Sequence, residues 1–200
     1  MGSVRFTAQW DDSEIFYTFT SYLYPSTIFT LNLDTRKSEL YWTPDLSFEA
    51  SNYTLKREFY ISKDGTRIPM FIVHKSDLEL NGQNPTYLYG YGGFNGSVTP
   101  YFSVSRLTWL ELGGVLALPA IRGGGEYGEE WHKAGMLDQK QNVFDDFISA
   151  GEFLIETGYT SPEKLAIGGG SNGGLLVSAC MLQRPDLFSV VDCSVPVTDM

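Results

Sequence analysis

The run Leu165-Ala166-Ile167-Gly168-Gly169-Gly170-Ser171-Asn172-Gly173-Gly174-Leu175-Leu176-Val177 places one serine at the crest of a glycine-rich turn between two apolar segments. A serine hydroxyl is a useful nucleophile only when it is exposed, aimed and relieved of its proton by a base. The pattern Gly169-x-Ser171-x-Gly173 supplies the first two conditions. The apolar run before it reads as a strand and the run after it as a helix. The glycines allow a turn too tight for Cβ atoms, with the serine held in a strained backbone conformation. Acyl transfer through a serine ester is the chemistry this predicts. The competing reading, an inert serine in a glycine-rich turn, is disfavoured by the strand–turn–helix frame.

Two further features serve the same chemistry. The helix after the turn points its positive end at the serine, and the backbone N–H of Asn172 follows the nucleophile, where one oxyanion donor is expected. The second donor is expected on the loop Tyr89-Gly90-Tyr91-Gly92-Gly93-Phe94-Asn95, with the Tyr91 phenol as candidate. The base is harder to find. The chain has two histidines, His74 and His132, and both precede Ser171, whereas an α/β-hydrolase runs serine, acid, histidine. His74 reads as an edge or surface residue, His132 as structural, and Asp199 cannot deprotonate a serine unaided. The triad is incomplete in this chain.

Gly-x-Gly-x-x-Gly occurs twice, at Gly123, Gly125, Gly128 and at Gly168, Gly170, Gly173, so a dinucleotide site must be weighed. The first match leads into Glu129-Glu130-Trp131-His132, acidic where a pyrophosphate would sit. The second is the serine turn itself, with no acidic residue ending a strand about twenty positions on. No cofactor is expected.

The elements that must position Ser171 fall into two parts. Residues up to about 50 alternate apolar and polar. Strands are expected at Ile15–Thr20, Thr27–Leu33 and Glu39–Trp42, with a turn at Tyr24-Pro25-Ser26: an antiparallel meander resembling one β-propeller blade. Thr54–Lys63 and Thr66–Lys75 flank Asp64-Gly65, a hairpin turn pair. Beyond residue 85, strand-like and helical runs alternate. Thr86–Tyr89, Gly114–Leu118, Leu165–Ile167 and Ser189–Val195 read as strands. Ser103–Leu112 and Asn142–Thr157 read as helices, the latter capped by Asn142 and stopped at Gly158. The fold class is α/β: an incomplete doubly wound α/β-hydrolase sheet over 53–200, preceded by the end of a β-propeller over 1–52. The chain looks cut at both ends, with an open strand edge near Val195.

Composition excludes several functions. Apolar residues make up 42% and charged residues 19%, so a packed core is affordable and disorder is not expected. A net charge of −10 leaves no basic patch for nucleic acid. The two cysteines, Cys180 and Cys193, read as small core residues and give neither a disulfide framework nor a metal spacing. No signal peptide, myristoylation pattern or membrane-length apolar run is visible, so a cytoplasmic setting is expected and no membrane partner. The sequons at Asn52 and Asn95 read as chance matches.

The motifs together resemble one family. Tyr89-Gly90-Tyr91-Gly92-Gly93-Phe94-Asn95, Arg122-Gly123-Gly124-Gly125-Glu126-Tyr127-Gly128, Tyr159-Thr160-Ser161-Pro162, Gly169-Gly170-Ser171-Asn172-Gly173-Gly174 and Gln183-Arg184-Pro185-Asp186-Leu187-Phe188 stand in the order and spacing of the prolyl oligopeptidases. The similarity is strong over about 52–200, and the meander resembles the last blade of that family's seven-bladed propeller. The resemblance implies a cytosolic serine peptidase acting on short proline-containing peptides, with the propeller restricting entry. By position, Ser171 resembles the nucleophile, Tyr91 and the Asn172 N–H the oxyanion donors, and Phe94 and Val197 the lining of the proline pocket. In the family the pocket tryptophan, the carbonyl-binding arginine and the triad Asp and His lie beyond the position of Met200. The resemblance therefore implies a fragment, with little or no activity by itself. A related oligopeptidase of different specificity and a non-catalytic interaction module on the same fold are the alternatives.

Overall fold

The computed structural model describes residues 2–199. The chain separates into two compact units: residues up to Tyr53 with Thr99–Thr108, and Thr54–Val98 with Trp109 onward.

The first unit is built on four strands, β1 (Ser3–Thr7), β2 (Glu14–Ser21), β3 (Tyr24–Asn32) and β4 (Ser38–Trp42), in one antiparallel sheet of order β1-β2-β3-β4. Register brings Phe6 opposite Tyr17 and Tyr17 opposite Phe29. Directly opposed residues share a face, so these rings form a ladder, with Tyr17 stacked on Phe29 at 5.1 Å. The turn expected at Tyr24-Pro25-Ser26 lies two residues earlier, because Ser21 pairs with Tyr24 and the strand resumes there. The register slips between Phe19 and Ser21, across from Pro25. A proline has no N–H for the ladder and is tolerated at such an irregularity.

The second unit holds a six-stranded mixed sheet. Its strands are β5 (Tyr53–Ile61), β6 (Arg67–Lys75), β7 (Thr86–Tyr89), β8 (Val115–Pro119), β9 (Leu165–Gly170) and β10 (Val190–Ser194), in the order β10-β9-β7-β8-β6-β5. β6 pairs antiparallel with β8, whereas β7, β8, β9 and β10 are mutually parallel along the order. Gly65 adopts φ +88° between β5 and β6, the left-handed conformation that the Asp64-Gly65 pair predicts. The helix α1 (Val104–Glu111) begins in the first unit and ends in the second, and α2 (Glu129–Lys133), α3 (Gln141–Glu156) and α4 (Asn172–Gln183) belong to the second. All five residues of β8 are buried, as expected of a strand with neighbours on both edges and cover on both faces. The core joins Ile68, Met70 and Ile72 of β6 to Leu88, Val115, Ile167, Phe147 and Leu176.

Three local expectations are corrected. Asn142 is not the cap of the long helix: α3 starts at Gln141, and the Asn142 side chain donates to Ala134 O and Gln139 Oε1 instead. His74 is not at an edge, because the sheet order puts β6 between β5 and β8. The ring is buried, tilted against Tyr159, with Nδ1 2.7 Å from Lys75 O. Cys180 is buried but Cys193 is exposed, since β10 has a neighbour on one edge only. Among the described residues, no helix is long and apolar enough to cross a membrane.

Candidate active site

β9 runs parallel between β7 and β10 and delivers the chain to Ser171 at its carboxyl end, where doubly wound sheets bind ligands. Ser171 has φ 55°, ψ −115°, a conformation that L-residues rarely adopt. Its N–H donates to Ser194 O at 3.0 Å, and its carbonyl accepts from Gly174 and Leu175 N–H as α4 begins. The turn is as tight as the glycine spacing implies: a Cβ on Gly169 would lie 2.2 Å from Gly173 O. Ser171 is exposed, and the N–H of Asn172 opens a 12-residue helix, where uncompensated backbone donors favour negative charge.

The loop after β7 lies against this turn. Gly90 N–H donates to Gly168 O at 3.1 Å, which anchors the loop to β9. Asn172, 3% exposed, donates through Nδ2 to the Tyr91 carbonyl. Lys140, which precedes α3, donates through Nζ to Gly92 O at 2.8 Å and to Asn172 Oδ1 at 3.3 Å. Burial lowers its pKa from the ordinary lysine value. Gly93 must be glycine here, because a Cβ would lie 2.5 Å from Asn172 Nδ2. Loop and turn are thus in close contact, with the Asn172 side chain against the Tyr91 carbonyl.

Phe94 and Val197 are placed differently. Phe94, at φ 51° and 72% exposed, borders a cavity of about 450 Å³ together with Asn172, His132, Met136, Leu137 and Lys140. Val197 is half-buried beside the serine turn, its N–H 3.3 Å from Ser171 O, and does not line that cavity.

Among the described residues, no hydrogen bond joins the Ser171 hydroxyl to a histidine or a carboxylate. His132 Nδ1 lies 2.8 Å from Gly123 O and 3.1 Å from Asn95 N, an arrangement that holds the Phe94-Asn95 loop to the glycine run. His74 is enclosed as described. The Gly123–Gly128 run leads into a five-residue helix whose first turn carries Glu129 and Glu130, an unfavourable seat for a phosphate. Among the described residues there is no group of three metal-ligating side chains.

A buried charge network around Arg122 was not read from the sequence. Arg122, 5% exposed, forms a two-pronged pair with Asp146, which is fully buried: Nη2 to Oδ1 at 2.6 Å and Nε to Oδ2 at 2.9 Å. Asp146 also accepts from the Arg122 N–H and from Ser62 Oγ, and Arg122 reaches Asp64. The Arg122 guanidinium draws Asp64 down to a pKa of about 2. This network fixes the start of the glycine run from beneath. A buried charge pair of this kind shows in sequence only as an Arg and an Asp inside apolar runs.

Comparison with known proteins places the chain in a family. The model of the prolyl oligopeptidase family matches residues 100–200, and that of the prolyl oligopeptidase N-terminal β-propeller domain matches residues 1–44. The chain belongs to the prolyl oligopeptidase family. It is 53% identical over 189 residues to a prolyl endopeptidase of Elizabethkingia miricola, covering 94% of this chain and 27% of that protein. It is 45% identical over 203 residues to a prolyl endopeptidase of Dictyostelium discoideum, covering 100% of this chain and again 27% of the relative. Among solved structures, a prolyl endopeptidase superposes with a TM-score of 0.96 at 50% identity, over 100% of this chain and 30% of that one. A post-proline cleaving enzyme from Rickettsia typhi gives 0.95 at 41% identity, over 100% and 29%. The chain thus spans about 27% of the length of the curated prolyl oligopeptidase relatives it matches. The antiparallel meander and the mixed α/β sheet are parts of that family's propeller and hydrolase domains.

Proposed function

We propose that this chain supplies the nucleophile and oxyanion side of a serine-type oligopeptidase that cleaves short peptides after proline. The conformation of Ser171 carries the reading: an exposed serine at φ 55° on a strand-to-helix turn is strained, and strain of that kind persists where it serves a reaction. The relatives add the substrate class. They include prolyl endopeptidases, a post-proline cleaving enzyme, and a Galerina marginata prolyl oligopeptidase B bound to a 35-residue substrate.

In the proposed reaction, Ser171 Oγ attacks the prolyl carbonyl carbon and its proton passes to a histidine base. The carbonyl oxygen becomes an oxyanion, held by the Asn172 N–H and the Tyr91 hydroxyl. Collapse of the tetrahedral adduct breaks the C–N bond, and the histidine returns the proton to the leaving amine. Water then attacks the Ser171 ester by the same route, releasing the acid and restoring the serine. Phe94 and Val197 flank the proline ring. The histidine and its acid lie outside this chain, so the chain by itself has little or no peptidase activity.

A fluorophosphonate label and a Gly-Pro anilide reporter test the proposal on the full-length protein. Labelling and turnover are expected, both lost in Ser171→Ala. A full-length protein that leaves Ser171 unlabelled is a non-catalytic module, and one that labels but cuts only after other residues is an oligopeptidase of different specificity.

A further inference from the structure

Two oxyanion donors are useful only if they converge on one point. Here they come from segments far apart in sequence: the Asn172 N–H from the serine turn and the Tyr91 hydroxyl from the loop after β7. Three hydrogen bonds join those segments. Asn172 Nδ2 donates to Tyr91 O, Lys140 Nζ donates to Asn172 Oδ1 at 3.3 Å, and the same Nζ donates to Gly92 O at 2.8 Å. Lys140 therefore bridges the turn and the loop from a third segment, the start of α3, which is anchored in the core by Val143 and Phe147.

The chemistry of this lysine is unusual. Its polar partners are amide oxygens, and it takes part in none of the ion pairs recorded among the described residues. A half-buried ammonium without a carboxylate partner is costly to keep. The Phe144 ring lies 5.9 Å from Nζ and eases that cost in part, and the hydrogen bonds are what join Lys140 to the turn and the loop. They act on the one pair of segments whose separation sets the oxyanion geometry.

We propose that Lys140 is a positioning residue for the oxyanion site: it clamps the Tyr91-Gly92 carbonyls and the Asn172 side chain so that the Tyr91 hydroxyl and the Asn172 N–H face one oxygen. The proposal rests on the acyl-transfer role of Ser171. Lys140 lines the cavity that Phe94 borders, and its assigned role is to position the donors rather than to touch the reacting atoms. Displacement of a donor by about 1 Å is enough to cost on the order of 10²-fold in rate, so losing the clamp lowers turnover without lowering ground-state affinity.

The test uses the full-length peptidase, three single variants and one double variant. Ser171→Ala examines the underlying reading: activity retained in that variant overturns the peptidase assignment itself. In Lys140→Met, kcat on a Gly-Pro anilide is expected to fall roughly 10- to 100-fold while KM stays within about twofold. Inhibition by a peptidyl-prolinal aldehyde, whose serine hemiacetal carries the oxyanion, is expected to weaken by the same factor. A merely structural role would not move the aldehyde constant in step with kcat. Asn172→Ala cuts the same link from the other side and should give the same pattern. The double variant should lose less than the product of the two single losses, because both act on one linked network. If Lys140→Met does not fold, Asn172→Ala decides. Wild-type kcat and aldehyde affinity in the folded variant, with Ser171→Ala inactive, overturn the clamp and leave the peptidase reading intact.

Discussion

Arg122 and Asp146 meet fork to fork where neither is open to water: the arginine is 5% exposed and the aspartate 0%. Pairing and hydrogen bonding from Ser62 and the Arg122 N–H offset the desolvation of both charges. Removing one partner strands the other. Asp146→Ala is expected to lower unfolding free energy by about 3–5 kcal/mol, read from urea denaturation of the full-length protein. Replacing both, as Arg122→Met with Asp146→Leu, should cost less than Asp146→Ala alone. A single variant as stable as wild type would mean that the pair carries no such load.

Asp64, at the outer end of the same network, gives a pH signature. The hydrogen bond from the Arg122 guanidinium pulls its pKa from 3.8 to about 2 in the folded state. A carboxyl held below its unfolded value favours the fold above that value, so the contribution is complete above about pH 4 and is lost as pH falls from there to about 2. The Asp64 side chain is 44% exposed, so water screens the pair and the effect is below about 1 kcal/mol. Asp64→Asn should flatten this part of the stability-against-pH curve and leave it unchanged near neutrality.

Strain at Ser171 predicts a trade between stability and chemistry. Glycine tolerates φ 55°, ψ −115° far better than serine. Ser171→Gly should therefore raise the unfolding free energy by about 1 kcal/mol while abolishing fluorophosphonate labelling. Thermal melts of the two proteins check it, and a lower midpoint in the variant would contradict the strain argument.

Tyr91 allows the two proposed oxyanion donors to be separated by experiment. Tyr91→Phe removes the hydroxyl and leaves the ring and the backbone that Asn172 and Lys140 hold. A fall in kcat of about 10²- to 10³-fold with KM nearly unchanged is expected on a Gly-Pro anilide. Unaltered kcat would remove Tyr91 from the site.

The features legible in the residues are those whose cause is local. The serine turn was visible because strand, glycines and helix follow one another within 13 positions and the tightness of the turn itself demands Gly169. The Asp64-Gly65 hairpin and the Gly158 stop of α3 were legible for the same reason: one residue must take positive φ, and glycine takes it without steric cost. The spacing of several such motifs was enough to indicate the family.

Tertiary structure decided what depends on the order of strands and on partners far along the chain. His74 sits on a hairpin strand that looks peripheral, and only the placing of β6 beside β8 buries it. Cys193 lies in an apolar run, and only the position of β10 at the end of the sheet leaves it exposed. Asn142 has the chemistry of a cap, yet the helix begins before it and its amide finds Ala134 instead. Residues 99–108 lie at the middle of the chain, within the stretch that otherwise forms the second unit, but cluster with the first. Arg122 with Asp146, and Lys140 with Gly92 and Asn172, join segments 24 to 48 residues apart. The sequence by itself determined an exposed serine on a strained strand-to-helix turn, because covalent geometry over a few residues demands it. What holds that turn, its loop and its charges together is decided by burial, and burial belongs to the assembled sheet.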